Sequence, residues 1–360
     1  MAGLTELGKT AQPRAGSSVE FLDLGRRARR LAPQLADALE RILDSGVVLW
    51  GPELAAFEDE WAEFTGRDHA IAVASGTDAL RLSLVGLGIG RGDEVIMPAF
   101  TAIPTAAAIC AAGATPVPVD VDPETAALDL GAAEAAVNER TRAVVVVHLY
   151  GRPAELPKLG LPVIEDAAHA HGALDASGET GGAAAAYSFY PTKNLGGVGD
   201  GGAIVTDDEA LAERLRRLRA HGRGSDGRFE EIATNSRISE LEAAALRIGL
   251  RDLDAGNRRR TEIAAAYREA APDLRWHPDH PRHAYHLCVA RPPDREQFRA
   301  RMPFDCPLHY PRTVIDEPAY SQFRRHDVPA AAAWAAECVS LPCYPELSDS
   351  EVERVCAALA

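Results

Sequence analysis

Lysine is almost absent from this 360-residue chain, in which 35 of the 38 basic residues are arginine and only Lys9, Lys158 and Lys193 are lysine. High G+C content of the gene is enough to explain such a bias. A lysine inside a dense motif nevertheless invites a chemical explanation, because lysine can lose its proton and attack a carbonyl group whereas arginine stays charged. Lys193 lies in such a motif and is the first candidate for a catalytic residue.

Positive charge and long apolar runs are also scarce. The formal net charge is −15 at pH 7, which argues against nucleic acid as a partner because binding a polyanion needs a basic surface. Solubility alone explains an acidic surface, so the charge identifies no partner. No stretch reaches the roughly 18 to 20 apolar residues of a membrane span, and we expect no membrane association.

Paired cysteines are missing as well. The six cysteines are scattered and form no C-x-x-C motif, and residues 1–18 contain no apolar segment of a secretory signal. We therefore expect reduced thiols and a cytoplasmic protein, with residues 1–18 as a disordered tail.

The order of apolar and polar residues predicts an α/β protein. Strands are predicted at 71–74, 94–98, 116–119, 143–149, 162–165, 183–190 and 202–205. Several are continuous valine and isoleucine runs, typical of parallel strands buried on both faces. Helices are predicted at 31–45, 53–65, 78–87, 103–112, 130–138 and 208–220. This alternation predicts a large domain with a mostly parallel sheet flanked by helices.

The C-terminal part predicts a second, smaller unit. A long helical segment at 239–269, broken near Gly256, would lead to an α+β domain with a strand at 285–290 and helices at 294–301, 329–337 and 348–358. We therefore divide the chain into the tail 1–18, a large domain 19–238, a linking helix 239–270 and a small domain 271–360.

The first candidate segment for chemistry is Ala74-Ser75-Gly76-Thr77-Asp78, where a predicted strand turns into a helix. The free N–H groups of a helix N-terminus, beside glycine and hydroxyl residues, bind phosphate well. Ordinary capping of the helix by Thr77 is the alternative explanation, and it is the commoner one for a segment of this kind.

The second segment is the end of an apolar strand at Glu165-Asp166. A buried carboxylate is costly unless a cation pairs with it. The cation could be a protonated pyridine nitrogen of a cofactor or one of the many arginines. His169 and His171 follow, but without nearby cysteines or an acidic pair at ligand spacing we expect no metal site.

The third segment holds Lys193 between the hydroxyl of Ser188 and a glycine-rich run at 196–202. A lysine amine must be partly desolvated, or lie near other cations, to act as a nucleophile at neutral pH. The glycines let the backbone pass close to a ligand. The run fits neither G-x-G-x-x-G nor a P-loop, in which the lysine follows the glycines.

The fourth segment is Asn235-Ser236-Arg237, just before the long helix, which Ser236 or Ser239 could cap. Asn235 and Arg237 could bind phosphate or carboxylate on the approach to this helix. Plain capping with a solvated arginine is the better explanation for the segment taken alone.

Taken together, these segments resemble the pyridoxal-phosphate-dependent sugar aminotransferases of the DegT/StrS family, which have the aspartate aminotransferase fold (fold type I). The matching motifs occur in the same order from about Phe21 to Val355, which is nearly the whole chain. One such motif would be a weak sign of the family, but this number of motifs in one order is specific for it. The matching motifs include Gly51-Pro52-Glu53, Ser75-Gly76-Thr77-Asp78-Ala79-Leu80, Val147-His148-Leu149-Tyr150-Gly151, Glu165-Asp166-Ala167-Ala168, Ser188-Phe189-Tyr190-Pro191 with Lys193-Asn194-Leu195, Gly199-Asp200-Gly201-Gly202, Asn235-Ser236-Arg237 and His309-Tyr310-Pro311.

The resemblance implies a role for each matching residue. Lys193 would bind pyridoxal 5'-phosphate covalently and later shuttle a proton, and Asp166 would bind the pyridine nitrogen. His169 would lie near the phenolic oxygen of the ring, where the family often has Gln and sometimes His. The phosphate would be held by Gly76, Thr77, Asp78 and Ser188, joined by Asn235 from the partner subunit of a homodimer with shared active sites. The substrate mouth would be lined by Arg237, His309 and Tyr310.

The form of the motifs also implies a substrate. They look most like those of members that aminate nucleotide-linked 3-keto-hexoses, of the dTDP-3-keto-6-deoxyhexose type, with glutamate as donor, in amino-sugar or antibiotic biosynthesis. Lysine at 193 argues against the family's dehydratase branch, which has His there. Two alternatives stay open: a keto-cyclitol acceptor from aminoglycoside biosynthesis, and a non-catalytic sensor that binds pyridoxal phosphate or a nucleotide-sugar.

Two positions depart from the family pattern. Many relatives place an aromatic residue that stacks on the cofactor after Phe100-Thr101, where this chain has Ala102. Residues 151–161 are also too few for the helix that relatives usually have between these strands, so we expect a short loop there.

Overall fold

The large sheet lies at the centre of the fold in this computed structural model, which describes residues 19–174 and 181–360. Its strands are β1 (His69–Val73), β2 (Glu94–Pro98), β3 (Thr115–Val119), β4 (Thr141–Val147), β5 (Val163–Asp166), β6 (Ala184–Ser188) and β7 (Gly202–Thr206). These seven strands have the order β1-β7-β6-β5-β4-β2-β3. β7 is antiparallel to both of its neighbours, and the other pairs are parallel. The predicted α/β class with a mostly parallel mixed sheet is confirmed.

The sheet is covered on both faces because its strands are apolar along their whole length. In β4, Val145 and Val147 pack in the same cluster as Phe100, whereas Val144 and Val146 pack in a different cluster. Successive side chains of a strand point to opposite faces, so both faces of β4 are buried. The prediction of a central parallel strand from the continuous valine run is therefore confirmed.

Eight helices precede the C-terminal part in the described residues. They are α1 (Leu24–Ser45), α2 (Pro52–Thr65), α3 (Gly76–Gly86), α4 (Ile103–Ala111), α5 (Leu130–Ala136), α6 (Glu209–Leu218), α7 (Glu240–Leu250) and α8 (Leu253–Ala270). α1 ends at Gly46, whose φ of 69° is favoured by glycine. α2 begins after Gly51, which has no side chain to cap the helix. The carboxylate of Glu240 takes that role and accepts hydrogen bonds from the N–H groups of Gly51, Glu53 and Leu54.

A second, three-stranded antiparallel sheet forms near the C-terminus. Its strands β8 (Arg275–Trp276), β9 (Cys288–Arg291) and β10 (Val339–Leu341) have the order β10-β9-β8. The helices α9 (Arg295–Arg301) and α11 (Asp349–Leu359) contribute Phe298 and Val355 to a separate apolar cluster with the strands of this sheet and with Tyr267 of α8. Trp334 of α10 (Pro329–Glu337) packs instead in the core of the large sheet. The domain boundaries at 238 and 270 stay a prediction, and the predicted tail 1–18 lies outside the described residues.

Two details differ from the sequence-based expectation. The long helical segment is interrupted at residues 251–252, and the predicted break near Gly256 is wrong, because Gly256 lies inside α8. A Cβ atom at Gly256 would lie 3.2 Å from Cγ of Pro345, so the glycine allows close packing. β4 ends at Val147, since residues Leu149–Gly151 form a short 3₁₀ turn. The expected loop between β4 and β5 is confirmed, with no helix over residues 152–162.

Within the described ranges, no helix combines the length and the apolar character needed to cross a lipid bilayer.

Candidate functional site

A cavity of about 290 Å³ lies where β5 and β6 end and α3 begins. Parallel strands bring their carboxyl ends to one edge of the sheet, which is where open α/β sheets bind ligands. The cavity is lined by Ser75, Gly76, Thr77, Leu80, Thr101, Ala102, Pro104, Val147, Asp166, Ala168, His169, Ser188, Tyr190, Lys193, Asp200 and Tyr310. Lys193 and Asp166, which the sequence singled out separately, therefore face the same space.

Lys193 lies in the loop that follows β6. Burial removes water from its amine and lowers the pKa of Lys193 to about 8, and the nearby carboxylate of Asp166 opposes part of this effect. A lysine with this pKa has a substantial neutral fraction in mildly alkaline solution. The local environment thus meets the requirement for a nucleophilic amine.

Asp166 is the last residue of β5, and its side chain is buried. Its Oδ2 accepts a hydrogen bond of 2.7 Å from the hydroxyl of Thr105, and its Oδ1 accepts one of 3.2 Å from the N–H of Ala168. Burial raises the pKa of Asp166, whereas these hydrogen bonds and the charge of Lys193 favour the ionised form. In the described part of the chain no salt bridge involves Asp166, so the arginine alternative is not supported.

His169 has a fixed tautomer. Its Nδ1 accepts a hydrogen bond of 3.2 Å from the N–H of Tyr150, so the proton of the neutral ring is on Nε2. Burial, with the charge of Lys193 next in size, holds the pKa of His169 well below its usual value. One side of the ring packs against His286, with ring centroids 4.3 Å apart. His169 therefore offers a neutral N–H donor to the cavity that it lines.

The N-terminus of α3 forms the opposite wall. Ser75 caps this helix by accepting a hydrogen bond of 3.1 Å from the N–H of Asp78, so the expectation that Thr77 could be the cap is wrong. A Cβ atom at Gly76 would lie 2.5 Å from Cβ of Ser188. Only glycine at 76 lets the helix approach β6 this closely, and this leaves Thr77 and Ser188 facing the cavity together.

Several predicted site residues lie outside the cavity lining. Asp78 gives its N–H to Ser75, and its carboxylate accepts a hydrogen bond of 2.8 Å from Nε of Arg81, so in this chain it does not face the cavity. Asn235 is exposed and pairs with Ala220 across an isolated bridge. Arg237 is half-buried outside the lining.

The neighbouring hydroxyls and histidines have other partners. Ser236 accepts a hydrogen bond of 3.1 Å from the N–H of Ala74, and Ser239, rather than Ser236, caps α7. His309 lies behind Tyr310, which does line the cavity, and its Nδ1 is 2.9 Å from Oγ of Ser340.

His171 belongs to the apolar core and not to the site. It is buried among Trp61, Tyr187 and Phe189, and burial lowers the pKa of His171 to about 3. Across residues 19–174 and 181–360, no group of three or more His, Cys, Asp and Glu side chains could hold a metal ion.

Sequence reasoning missed two residues that shape the site. Thr105 supplies the shortest hydrogen bond to Asp166, and the backbone of Tyr150, at a φ of 60°, turns its N–H towards His169. Both belong to quoted or neighbouring motifs, but nothing in their spacing indicates which side chain they contact.

A model of the DegT/DnrJ/EryC1/StrS aminotransferase family matches residues 30–360. The dTDP-3-amino-3,4,6-trideoxy-alpha-D-glucose transaminase of Streptomyces venezuelae is 43% identical over 361 residues, which cover 95% of this chain and 95% of the relative. The crystal structure of DesV of S. venezuelae in complex with a ketimine intermediate has a TM-score of 0.89 at 42% identity, covering 95% of this chain and 97% of that one. The structure of ntda from Bacillus subtilis, with bound cofactor PMP, has a TM-score of 0.90 at 27% identity and covers 95% and 84% of the two chains.

Proposed function

The chain belongs to the DegT/DnrJ/EryC1/StrS aminotransferase family, and we propose that it transfers an amino group from L-glutamate to a nucleotide-linked keto-sugar of the dTDP-3-keto-6-deoxyhexose type. The single observation that carries this proposal is a desolvated Lys193 in one cavity with the buried carboxylate of Asp166. The name of the 43% identical relative, a transaminase for a dTDP-3-amino sugar, supports the choice of acceptor.

Each polar group of pyridoxal 5'-phosphate, the cofactor of this family, would find a suitable partner among the residues of this site. Lys193 would hold the aldehyde carbon, and Asp166 would pair with the ring nitrogen. The N–H on Nε2 of His169 would donate to the phenolic oxygen. Thr77 and Ser188 would bind the phosphate beside the N-terminus of α3, where the glycine at 76 keeps the space open.

When bound, the cofactor supplies an electron sink that makes the carbon next to the amine acidic. The residues of this chain do the rest. Lys193 would be the base that takes the proton from that carbon and holds it on Nζ before giving it back. Burial raises the pKa of Asp166, and the hydrogen bonds that Thr105 and Ala168 donate oppose this shift by favouring the ionised form, which would pair with a protonated ring nitrogen.

One face of the ring would be covered less than in the many relatives that have an aromatic residue at this position. Ala102 lines the cavity at the position where those relatives have an aromatic residue, and a methyl group covers far less of a ring than an aromatic side chain does. The space beside Ala102 and Tyr310 is then available to the substrate. Arg237 would approach the nucleotide side of the substrate from the mouth, whereas His309, bonded to Ser340 behind Tyr310, would take part only through Tyr310.

We infer that the active protein is a cytoplasmic homodimer with shared active sites. Large apolar side chains are exposed on the described part of the chain, among them those of residues 47–50 together with Val198, Phe229 and Ile232. Ile232 is fully exposed in the single chain, with a relative accessibility of 105%. Exposed apolar patches of this kind mark association surfaces. Asn235 lies in the same segment as Phe229 and Ile232, so it would reach the phosphate of the partner's site.

The acceptor can be tested with the purified pyridoxamine form and no free amino donor. Incubation with a dTDP-3-keto-6-deoxyhexose should restore the visible absorbance in a single turnover and give the amino sugar, identified by mass spectrometry. A keto-cyclitol should leave the spectrum unchanged. Turnover of the cyclitol alone would assign the second acceptor class, and no turnover with any acceptor or donor would favour a sensor. Light scattering checks for the mass of a dimer.

A further inference from the structure

The loop that carries Lys193 has no regular secondary structure, and a side chain from the first helix fixes it instead. Arg27 of α1 places Nη1 3.4 Å from the carbonyl oxygens of both Pro191 and Lys193, and Nη2 is hydrogen bonded to the carbonyl oxygen of Gly196. One guanidinium group therefore contacts three carbonyl groups of the same loop, including that of the lysine itself.

The glycine at 196 makes this contact possible. A Cβ atom there would lie 2.4 Å from the carbonyl oxygen of Pro191 and 2.8 Å from Nη1 of Arg27. The planar fork of an arginine has five N–H donors in fixed directions and suits several carbonyls at once, whereas a lysine ammonium is a point charge. The contact therefore needs both the missing side chain at Gly196 and the several N–H donors of Arg27.

The far arm of the loop is held by an acidic side chain. The carboxylate of Glu242, in the first turn of α7, accepts a hydrogen bond of 3.2 Å from the N–H of Val198. A Cβ atom at Gly197 would lie 1.4 Å from Oε1 of Glu242, so any larger residue there would displace this carboxylate. Side chains of α1 and α7 therefore fix the carbonyl side and the N–H side of the lysine loop.

We propose that Arg27 is a positioning residue that holds the backbone of Lys193 and so aims its amine into the cavity. The inference rests on the proposed role of Lys193 as the covalent anchor of the cofactor. Catalysis depends on placement within tenths of an ångström, and a displacement of about 1 Å can lower a rate about a hundredfold. Arg27 is not among the residues that line the proposed cofactor cavity, so its effect on the reaction would pass through the lysine loop.

The test compares Arg27→Ala and Arg27→Lys with Arg30→Ala in the cofactor-loaded protein. Arg30 lies one turn further along α1 and pairs with Asp252, so its loss also weakens the attachment of α1 but leaves the lysine loop untouched. For the half-reaction with the amino donor, kcat of Arg27→Ala should fall about ten- to hundredfold while KM changes less than about threefold. The kcat of Arg27→Lys should lie between those of Arg27→Ala and the wild type, and the kcat of Arg30→Ala should equal that of the wild type.

Two further readouts separate positioning from a general loss of stability. The pH midpoint of the visible absorbance of the lysine-linked cofactor should move in Arg27→Ala and stay unchanged in Arg30→Ala. Arg27 also lines a second cavity of about 470 Å³ together with residues 191–194 of the loop, and this cavity offers room for a small ion beside the vacated position. Guanidinium chloride, at a concentration too low to denature, should therefore restore part of the lost kcat, whereas sodium chloride at equal ionic strength should not.

Each outcome bears on the proposal. A wild-type kcat and a wild-type pH midpoint in Arg27→Ala would overturn it, as would equal recovery with sodium and guanidinium. If Arg27→Ala does not fold, Arg27→Lys carries the test, and a lysine variant identical to the wild type in kcat and in midpoint would overturn the proposal. A wild-type protein that shows no lysine-linked absorbance would refute the proposed function, and with it the proposed role of Arg27, before any variant is compared, so this spectrum is recorded first.

Discussion

Replacing Lys193 by methionine should stabilise the protein in the absence of cofactor. The folded environment lowers the pKa of this lysine to about 8 from a reference value of 10.5. Each pKa unit corresponds to about 1.4 kcal/mol, so burial of the charged amine costs the folded state about 3 kcal/mol at pH 7. Methionine keeps the length and the apolar stem without the charge. We expect the variant to be more stable than the wild type by about 2–3 kcal/mol, since the lysine is only partly buried.

The sign of the pH dependence follows from the same pKa difference. Below about pH 8 the amine is protonated in both states, and the full cost is present. Between about 8 and 10.5 the unfolded chain binds the proton and the folded protein does not, so the stability of the wild type rises with pH. The difference between Lys193→Met and the wild type should therefore shrink over this range and vanish above it.

Urea denaturation of both apoproteins at a series of pH values measures this difference. Lys158→Met is the matched control, because Lys158 is exposed and its replacement should change stability little at any pH. A Lys193→Met variant that is no more stable than the wild type at pH 7, or a difference that stays constant to pH 10.5, would refute the reasoning that the amine is desolvated.

Three further variants test the rest of the site. Thr105→Val removes a hydrogen bond to the ionised carboxylate of Asp166, which is worth about 1.5–3 kcal/mol. The pKa of Asp166 should therefore rise, and the acid limb of the kcat/KM profile should move to higher pH. Thr105→Ser keeps the hydroxyl and should keep the wild-type profile. An unchanged limb in the valine variant would count against an ionised Asp166. Gly76→Ala places a Cβ atom 2.5 Å from Cβ of Ser188 and should weaken cofactor binding at least about tenfold in an absorbance titration; wild-type affinity would contradict the proposed phosphate site. His169→Gln keeps a donor and should retain most activity, whereas His169→Phe should lose about ten- to hundredfold in kcat, and equal rates would exclude the donor role.

Two residues of the site, Asp166 and Lys193, could be predicted from the sequence because each belongs to a short segment with a clear pattern. A continuous valine and isoleucine run ending in Asp166 predicts a buried strand with its carboxylate at the sheet edge, and the strand ends of a parallel sheet meet. Lys193, the single lysine in a glycine-rich motif, follows the neighbouring strand. Their placement in one cavity follows from the adjacency of β5 and β6 in the sheet, which the structure shows.

Local patterns were less informative about caps and helix breaks. Thr77 and Ser75 are both good capping residues two positions apart, and only the backbone conformation shows that Ser75 takes the role. Gly256 looks like a helix break, but it lies within α8, where the absence of a side chain leaves room for Pro345, which is distant in sequence. The carboxylate that caps α2 comes from Glu240, 186 to 189 residues away.

What the sequence alone determined is thus the α/β architecture and the identity of Lys193 and Asp166, since periodicity and strand ends are properties of short segments. The tertiary structure alone decided the environment of these groups. The hydroxyl of Thr105 on Asp166 and the guanidinium of Arg27 on the lysine loop each join residues far apart in the chain. Such contacts depend on how helices pack on the sheet, and this packing sets both the ionisation of the carboxylate and the direction of the amine.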